Sequence, residues 1–458
     1  MYDGENANAR RTYNKSYNFL SLQEHWQVKK DSCLLEIFTY MILLIASQTV
    51  SAQFREASPS EVGYDPEVLD QIHDRADLVY EAGLIPNYVI ALARENKLFF
   101  TAARGNRTIG TDTPVGLNTL FPLASMSKPI TSSAISLLIE RGELSMGSSL
   151  AEFFPQFGSM LVAPNGSLAS QFEPANAPIT IEDLLTHRSG LTYRTQIAGT
   201  TEVADLYEDI GLTDACLSPD ENMDLLSEIP LIAQPGTTWN YSVSLDVLSA
   251  VVGSVTGQRL GEFVYQNIFS PIGIEHSKWV HSQTDLDRDF ATLYQPATPG
   301  MSAIGTMEGE SINWQLIESD RYELCPVGSS SRKFDEGGSG LVGSAIDYLA
   351  YAAMIANSGE FNGARVLAEE TVELQLRERL DISAFQTSET KRGFGIGFGI
   401  VYEKDNTTVD YLFWGGSNNT QFFIDPKTKT VGAIMSSCFR CRQSMIGDVK
   451  SIVDAAFL

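Results

Sequence analysis

Histidine is scarce in this sequence, with five in 458 residues. None of His25, His73, His187, His276 or His281 falls in an H-E-x-x-H arrangement, which removes the usual helical zinc-hydrolase pattern. G-x-S-x-G is absent, so the strained nucleophile elbow of α/β-hydrolases is missing. Gly337-Gly338-Ser339-Gly340 has no Gly-Lys-Ser/Thr after it and reads as a turn rather than a phosphate cradle. Positive charge is short as well: 32 Lys and Arg face 57 Asp and Glu, a net charge of −25. The first 52 residues carry five of each sign, so the excess belongs to residues 53–458. Such a body repels nucleic acid and anionic membrane surfaces, and neither is expected as a partner.

Long apolar runs are lacking too. The stretch from Leu34 to Ala46 is interrupted by Glu36 and falls short of the ~20 residues a membrane span needs. With Lys29-Lys30 before it and the small residues Val50-Ser51-Ala52 after it, it reads as a secretory signal. Residues 1–52 are therefore expected to be a leader, and the rest an exported, periplasmic or extracellular protein with no membrane span. Cysteine is sparse. Beyond Cys33 there remain Cys216, Cys325, Cys438 and Cys441, which in an oxidising compartment permit two disulfides of open connectivity. Cys438-Phe439-Arg440-Cys441 has the spacing of a zinc or redox pair, but no second pair or neighbouring histidine supplies four ligands. No metal and no cofactor is expected.

What is present is a strong pattern of elements. Leu69, Ile72, Ala76 and Val79 fall at helical spacing, and the runs Tyr88–Ala93 and Leu98–Ala103 form a hairpin around Glu95-Asn96-Lys97. Ile130, Ala134, Leu137 and Leu138 mark a helix stopped by Gly142. Thr180 with Asp183, and Ser344 with Asp347, cap two further helices; Leu245, Leu248 and Val252 mark another ending near Gly257. From Ile396 to Val401 the period changes to two, and strands follow at Tyr411–Trp414, Gln421–Asp425 and Val431–Ser436 before a last helix from Ser444. Strands at both ends of the folded chain predict an α+β fold: one antiparallel sheet from residues 53–142 and 336–458, flanked by helices, with a mostly helical region 143–335 inserted.

Ser125-Met126-Ser127-Lys128-Pro129 is the sharpest chemical signal. Residues three apart share a helix face, so hydroxyl and amine can meet. Pro129 fits only in a first turn, which places Ser125 at the helix tip, where free amides favour a developing oxyanion. A lysine amine kept neutral can serve such a serine as base. Trp239-Asn240-Tyr241-Ser242-Val243 precedes the helix of Leu245 and Leu248, so Tyr241 projects from a loop, where a phenol beside a lysine can relay a proton. Trp414-Gly415-Gly416-Ser417 ends a strand, and its glycines let backbone approach a substrate, with the Ser417 amide able to complete an oxyanion hole. His187, in Leu-Thr-His-Arg-Ser-Gly, is expected to be a hydrogen-bonded structural residue.

The order of Ser-x-x-Lys, Tyr box and late glycine-rich triplet, with the stretches ITIEDLLTHRSGL, GGSGLVGSAIDY and FFIDPKTKTVGAIM, resembles the class C β-lactamase-like serine hydrolases, a family that includes family VIII carboxylesterases, D-amino-acid peptidases and acyltransferases. The resemblance runs from about residue 60 to 458. It implies a β-lactamase/transpeptidase-like fold, Ser125 as nucleophile of an acyl-enzyme, Lys128 and Tyr241 as base and acid, and Trp414, Gly415, Gly416 and Ser417 as the substrate strand. Penicillin-recognising members place a lysine where Trp414 stands and an asparagine where Val243 stands. Both departures favour a neutral small-molecule ester or acyl donor over an anionic antibiotic. The alternatives are a β-lactamase or D-amino-acid peptidase, and a non-catalytic envelope protein of the same fold.

Overall fold

The hairpin forms where the sequence places it. Strands β2 (Asn87–Arg94) and β3 (Lys97–Gly105) pair antiparallel, closed by Glu95 and Asn96 at φ 50° and 58°. Two left-handed residues are what a two-residue loop matching strand twist requires. The computed structural model describes residues 54–193, 201–209, 215–296, 314–316, 328–382, 391–439, 441 and 444–458. The leader residues and Cys325 lie outside them. Ser51–Leu458 forms one compact unit.

The sheet has nine strands. Beside β2 and β3 stand β1 (Arg55–Glu56), β4 (Leu380–Asp381), β5 (Arg392–Phe394), β6 (Gly399–Tyr402), β7 (Val409–Gly416), β8 (Thr420–Asp425) and β9 (Thr430–Met435), in the order β1-β3-β2-β9-β8-β7-β6-β5-β4. Both chain ends thus meet at the β2–β9 pair. The sheet is antiparallel as expected except at one edge, where the two-residue β1 runs parallel to β3 and makes it mixed. A correction concerns residues 396–401, expected as one strand. Gly395 donates to the Phe398 carbonyl and Gly397 sits at φ 80°, so a turn separates β5 from β6 while Ile396 and Phe398 stay buried.

Both faces of the central strands are covered, which is why β2 is apolar at nearly every position. Val89, Ala91 and Ala93 join the core that holds helices α2 (Ser127–Glu140), α3 (Ser244–Thr256) and α4 (Ala345–Ala356). Tyr88, Ile90 and Leu92 join a smaller core with α1 (Gln71–Glu81) and the terminal helix α5 (Ile446–Ala456). The larger aliphatic ones, Val89, Ile90 and Leu92, each contribute roughly 1.5–3 kcal/mol by leaving water. Thr180 and Ser344 accept from the Asp183 and Asp347 amides, and Gly257 ends α3 in the left-handed region, as the sequence indicates. Cys438 and Cys441 form a disulfide just beyond β9, and Cys216 is disulfide-bonded as well. No helix among the described residues is long and apolar enough to cross a membrane.

Candidate active site

Helix α2 runs through the core, and Ser127 to Leu138 are all buried. A 3-10 turn, Ala124–Met126, leads into it and holds Ser125 partly open to solvent. Ala124 adopts φ 48°, a conformation costing a non-glycine residue about 1–3 kcal/mol. Its surroundings hold it there: the Ser127 hydroxyl donates to the Ala124 carbonyl at 2.7 Å and accepts the Leu341 amide at 3.1 Å, and Tyr348 donates to the Met126 carbonyl.

Lys128 is 1% exposed, and a buried ammonium or amine needs partners. Its Nζ lies 3.3 Å from Ser125 Oγ, 3.0 Å from the Tyr193 hydroxyl and 2.7 Å from the Gly338 carbonyl. The Gly338 carbonyl can only accept, so one Lys128 N–H is committed there, whereas both hydroxyls can donate or accept. Tyr241 meets Lys128 differently from the expected relay: the amine lies over its ring, 4.7 Å from the centroid, and its hydroxyl makes no hydrogen bond among the described residues. Tyr193, 5.4 Å from Tyr241 between ring centroids, is the phenol bonded to the amine.

Both tyrosines are carried by two loops stitched together. The Asn240 amide donates to the His187 carbonyl, its side chain donates to the Leu191 carbonyl, and the Val243 amide donates to the Thr192 carbonyl. Ser242 donates its amide to His187 Nδ1 at 3.2 Å, and the His187 ring packs 4.7 Å from that of Tyr241. Burial, with Lys128 adding, pushes the His187 pKa well down and so favours the neutral ring. Val243 is 2% exposed, a core residue presenting no polar group.

The strand triplet closes the other side. Asn418 donates to the Pro122 carbonyl and Thr420 to the Leu123 carbonyl, which docks the end of β7 on the turn before Ser125. The exposed Ser417 makes no backbone hydrogen bond among the described residues, leaving its amide available. Trp414 packs 5.8 Å from Tyr241 and 5.4 Å from Phe394, its indole N–H buried without a partner among the described residues. The arrangement offers a hydroxyl, an amine in contact with it and two phenols under an aromatic wall, and no cluster able to hold a metal ion exists among the described residues.

Residues 75–456 match the family described as Beta-lactamase. The chain belongs to the β-lactamase family. Within it, Esterase EstB of Burkholderia gladioli is 30% identical over 377 residues, covering 77% of this chain and 86% of that one. Lovastatin esterase of Penicillium rubens is 27% identical over 383 residues, covering 76% and 88%. The structure of EstCE1, described as a hydrolase with promiscuous acyltransferase activity, superposes with a TM-score of 0.68 over 86% of this chain and 99% of that one at 24% identity, a likeness of fold. This β-lactamase-family chain is thus a serine hydrolase of that fold, as its motifs imply. Sequence reasoning singled out Ser125, Lys128, Tyr241 and the triplet from Trp414, and the structure brings them to one site. It missed Tyr193, two residues beyond the ITIEDLLTHRSGL stretch, and Asp246, whose only signal is a carboxylate amid the apolar run of α3.

Proposed function

We propose that the chain is an exported carboxylesterase or acyltransferase working through an acyl-enzyme on Ser125. In this reading Lys128 takes the Ser125 proton as Oγ attacks an ester carbonyl. The Ser125 and Ser417 amides receive the oxyanion. Its collapse breaks the ester bond, and the leaving alkoxide takes a proton from Lys128, relayed by Tyr241 or Tyr193. Water, or a second alcohol, then gives its proton to the same amine and attacks the acyl-enzyme; collapse breaks the bond between the acyl carbon and Ser125 Oγ, and Lys128 returns the proton to that oxygen. The observation that carries the reading is the 3.3 Å contact between a buried amine and a solvent-reachable hydroxyl at a helix tip.

The substrate is proposed to be a small neutral ester. Trp414 stands where a cation would meet a carboxylate, and Val243 lies in the core, so neither offers an anion a partner. The names of the esterase relatives support this choice. Export is supported by the basic and apolar features of residues 29–52 and by the Cys438–Cys441 disulfide, a bond that persists in oxidising compartments.

Turnover of p-nitrophenyl butyrate and labelling by a fluorophosphonate probe test the assignment. Ser125→Ala is expected to abolish both. Full turnover in that variant would end the proposal.

A further inference from the structure

Asp246 is the least expected group near the site. It lies in the first turn of α3, 1% exposed, and no step assigned above uses it. Its Oδ1 accepts the Gly338 amide at 2.8 Å, while the Gly338 carbonyl accepts from Lys128 at 2.7 Å. One glycine therefore connects a buried carboxyl on α3 with the amine on α2. The fit is close: a Cβ on Gly338 would stand 2.6 Å from Asp246 Oδ2 and 3.0 Å from the Tyr193 hydroxyl.

We propose that Asp246 is a positioning residue, which pins Gly338 so that the Gly338 carbonyl holds the Lys128 amine toward Ser125. The proposal rests on Ser125 and Lys128 being the reacting pair. Its physical content is a difference in freedom. Of the three groups touching the Lys128 Nζ, only the Gly338 carbonyl is a fixed acceptor, so it alone sets where the remaining amine positions point. A backbone carbonyl in a glycine-rich loop is directional only if its peptides are held, and the Asp246 carboxyl supplies the hold on the α3 side. On the other side the loop is tied by Thr131, which donates to the Gly337 carbonyl, and by Trp279, which donates to the Glu336 carbonyl.

The carboxyl also carries charge into the site. The titratable groups that face it are Lys128 on α2, Glu336 in the loop and Tyr193 across Gly338. Burial foremost, with Glu336 adding and Lys128 opposing, raises its pKa to about 7. Replacing it by the neutral isostere removes an anion from beside the Lys128 amine while keeping an oxygen that can accept from Gly338. Position and charge can therefore be separated by substitution.

The experiment compares wild type, Asp246→Ala, Asp246→Asn and Gly338→Ala, each checked by thermal melting, with Ser125→Ala as reference. Kinetics of p-nitrophenyl butyrate hydrolysis are read across pH 5–9. Asp246→Ala is expected to lower kcat about 100-fold with little change in KM, the scale of a misplaced catalytic group. Asp246→Asn should recover most of that kcat while the acid limb of its kcat/KM profile moves to lower pH. Gly338→Ala should reproduce the kcat loss from the opposite side of the contact, and it decides the matter together with Asp246→Asn should Asp246→Ala not fold. Wild-type kcat and pH profile in folded Asp246→Ala, or losses only in melting temperature, would overturn the proposal. Activity surviving in Ser125→Ala would instead remove the serine reading itself, independently of Asp246.

Discussion

Gly416 lies so close to Leu123 that a Cβ built on it would stand 2.3 Å from the Leu123 carbonyl oxygen. The same oxygen accepts the Thr420 hydroxyl at 3.0 Å. This approach is what brings the Ser417 amide beside the turn of Ser125, because one methyl group would force strand and turn apart. Gly416→Ala is therefore expected to lower kcat against p-nitrophenyl butyrate by about 100-fold or more, the usual effect of losing an oxyanion donor. Gly415→Ala is the comparison, since its Cβ would meet nothing closer than 3.3 Å and its activity should fall much less. Equal losses in the two variants would show that the close approach has no special role.

Tyr193 rather than Tyr241 touches the amine through its hydroxyl. Removing only the oxygen in Tyr193→Phe leaves the ring in place and takes one partner from Lys128. A fall in kcat of about tenfold to 100-fold at unchanged KM is expected, in the range of proton-handling groups. Tyr241→Phe keeps the ring over Lys128 and tests the relay expected from the motif. A silent Tyr193→Phe beside an inactive Tyr241→Phe would return the proton-handling role to Tyr241 alone.

Much of this was legible in the sequence because much of it is local. Pro129 marks the helix start, Ser125 and Lys128 share a face three residues apart, and caps and turn residues announce Thr180, Ser344 and the Glu95-Asn96 loop. Tyr193 was illegible because its meaning arises from a partner 65 residues away, and Asp246 because it acts on a backbone amide 92 residues away. The β5–β6 turn escaped for another reason. Ile396, Phe398 and Ile400 alternate through it and all are buried, so the burial pattern continues where the backbone reverses. The φ of Gly397 and the hydrogen bond from Gly395 to the Phe398 carbonyl mark the break.

His187 links the fold to pH. Its folded pKa is depressed by burial, so its contribution to stability is present above the unfolded value near 6.5 and is lost as pH falls below it. Each unit below that value should cost up to about 1.4 kcal/mol until the ring protonates in the folded state. Urea midpoints measured from pH 7.5 to 5 should fall more steeply in wild type than in His187→Gln, in which His281, also depressed by burial, still contributes. Parallel slopes in the two proteins would place the acid sensitivity elsewhere.

In the proposed function Trp414 is the residue that separates ester from antibiotic chemistry. Its ring packs on Tyr241 and Phe394, so it offers apolar surface where penicillin-recognising relatives offer an ammonium. Trp414→Lys supplies that cation, and a hydrogen bond to a charged group is worth about 1.5–3 kcal/mol. The nitrocefin to p-nitrophenyl butyrate ratio of kcat/KM should therefore rise by about tenfold or more. Trp414→Met removes the ring without adding charge, and it should lower ester turnover while leaving the ratio nearly fixed. Because the two variants lose the same packing, a ratio that rises equally in both would assign the discrimination to cleft volume, and electrostatics at position 414 would then play no part in it.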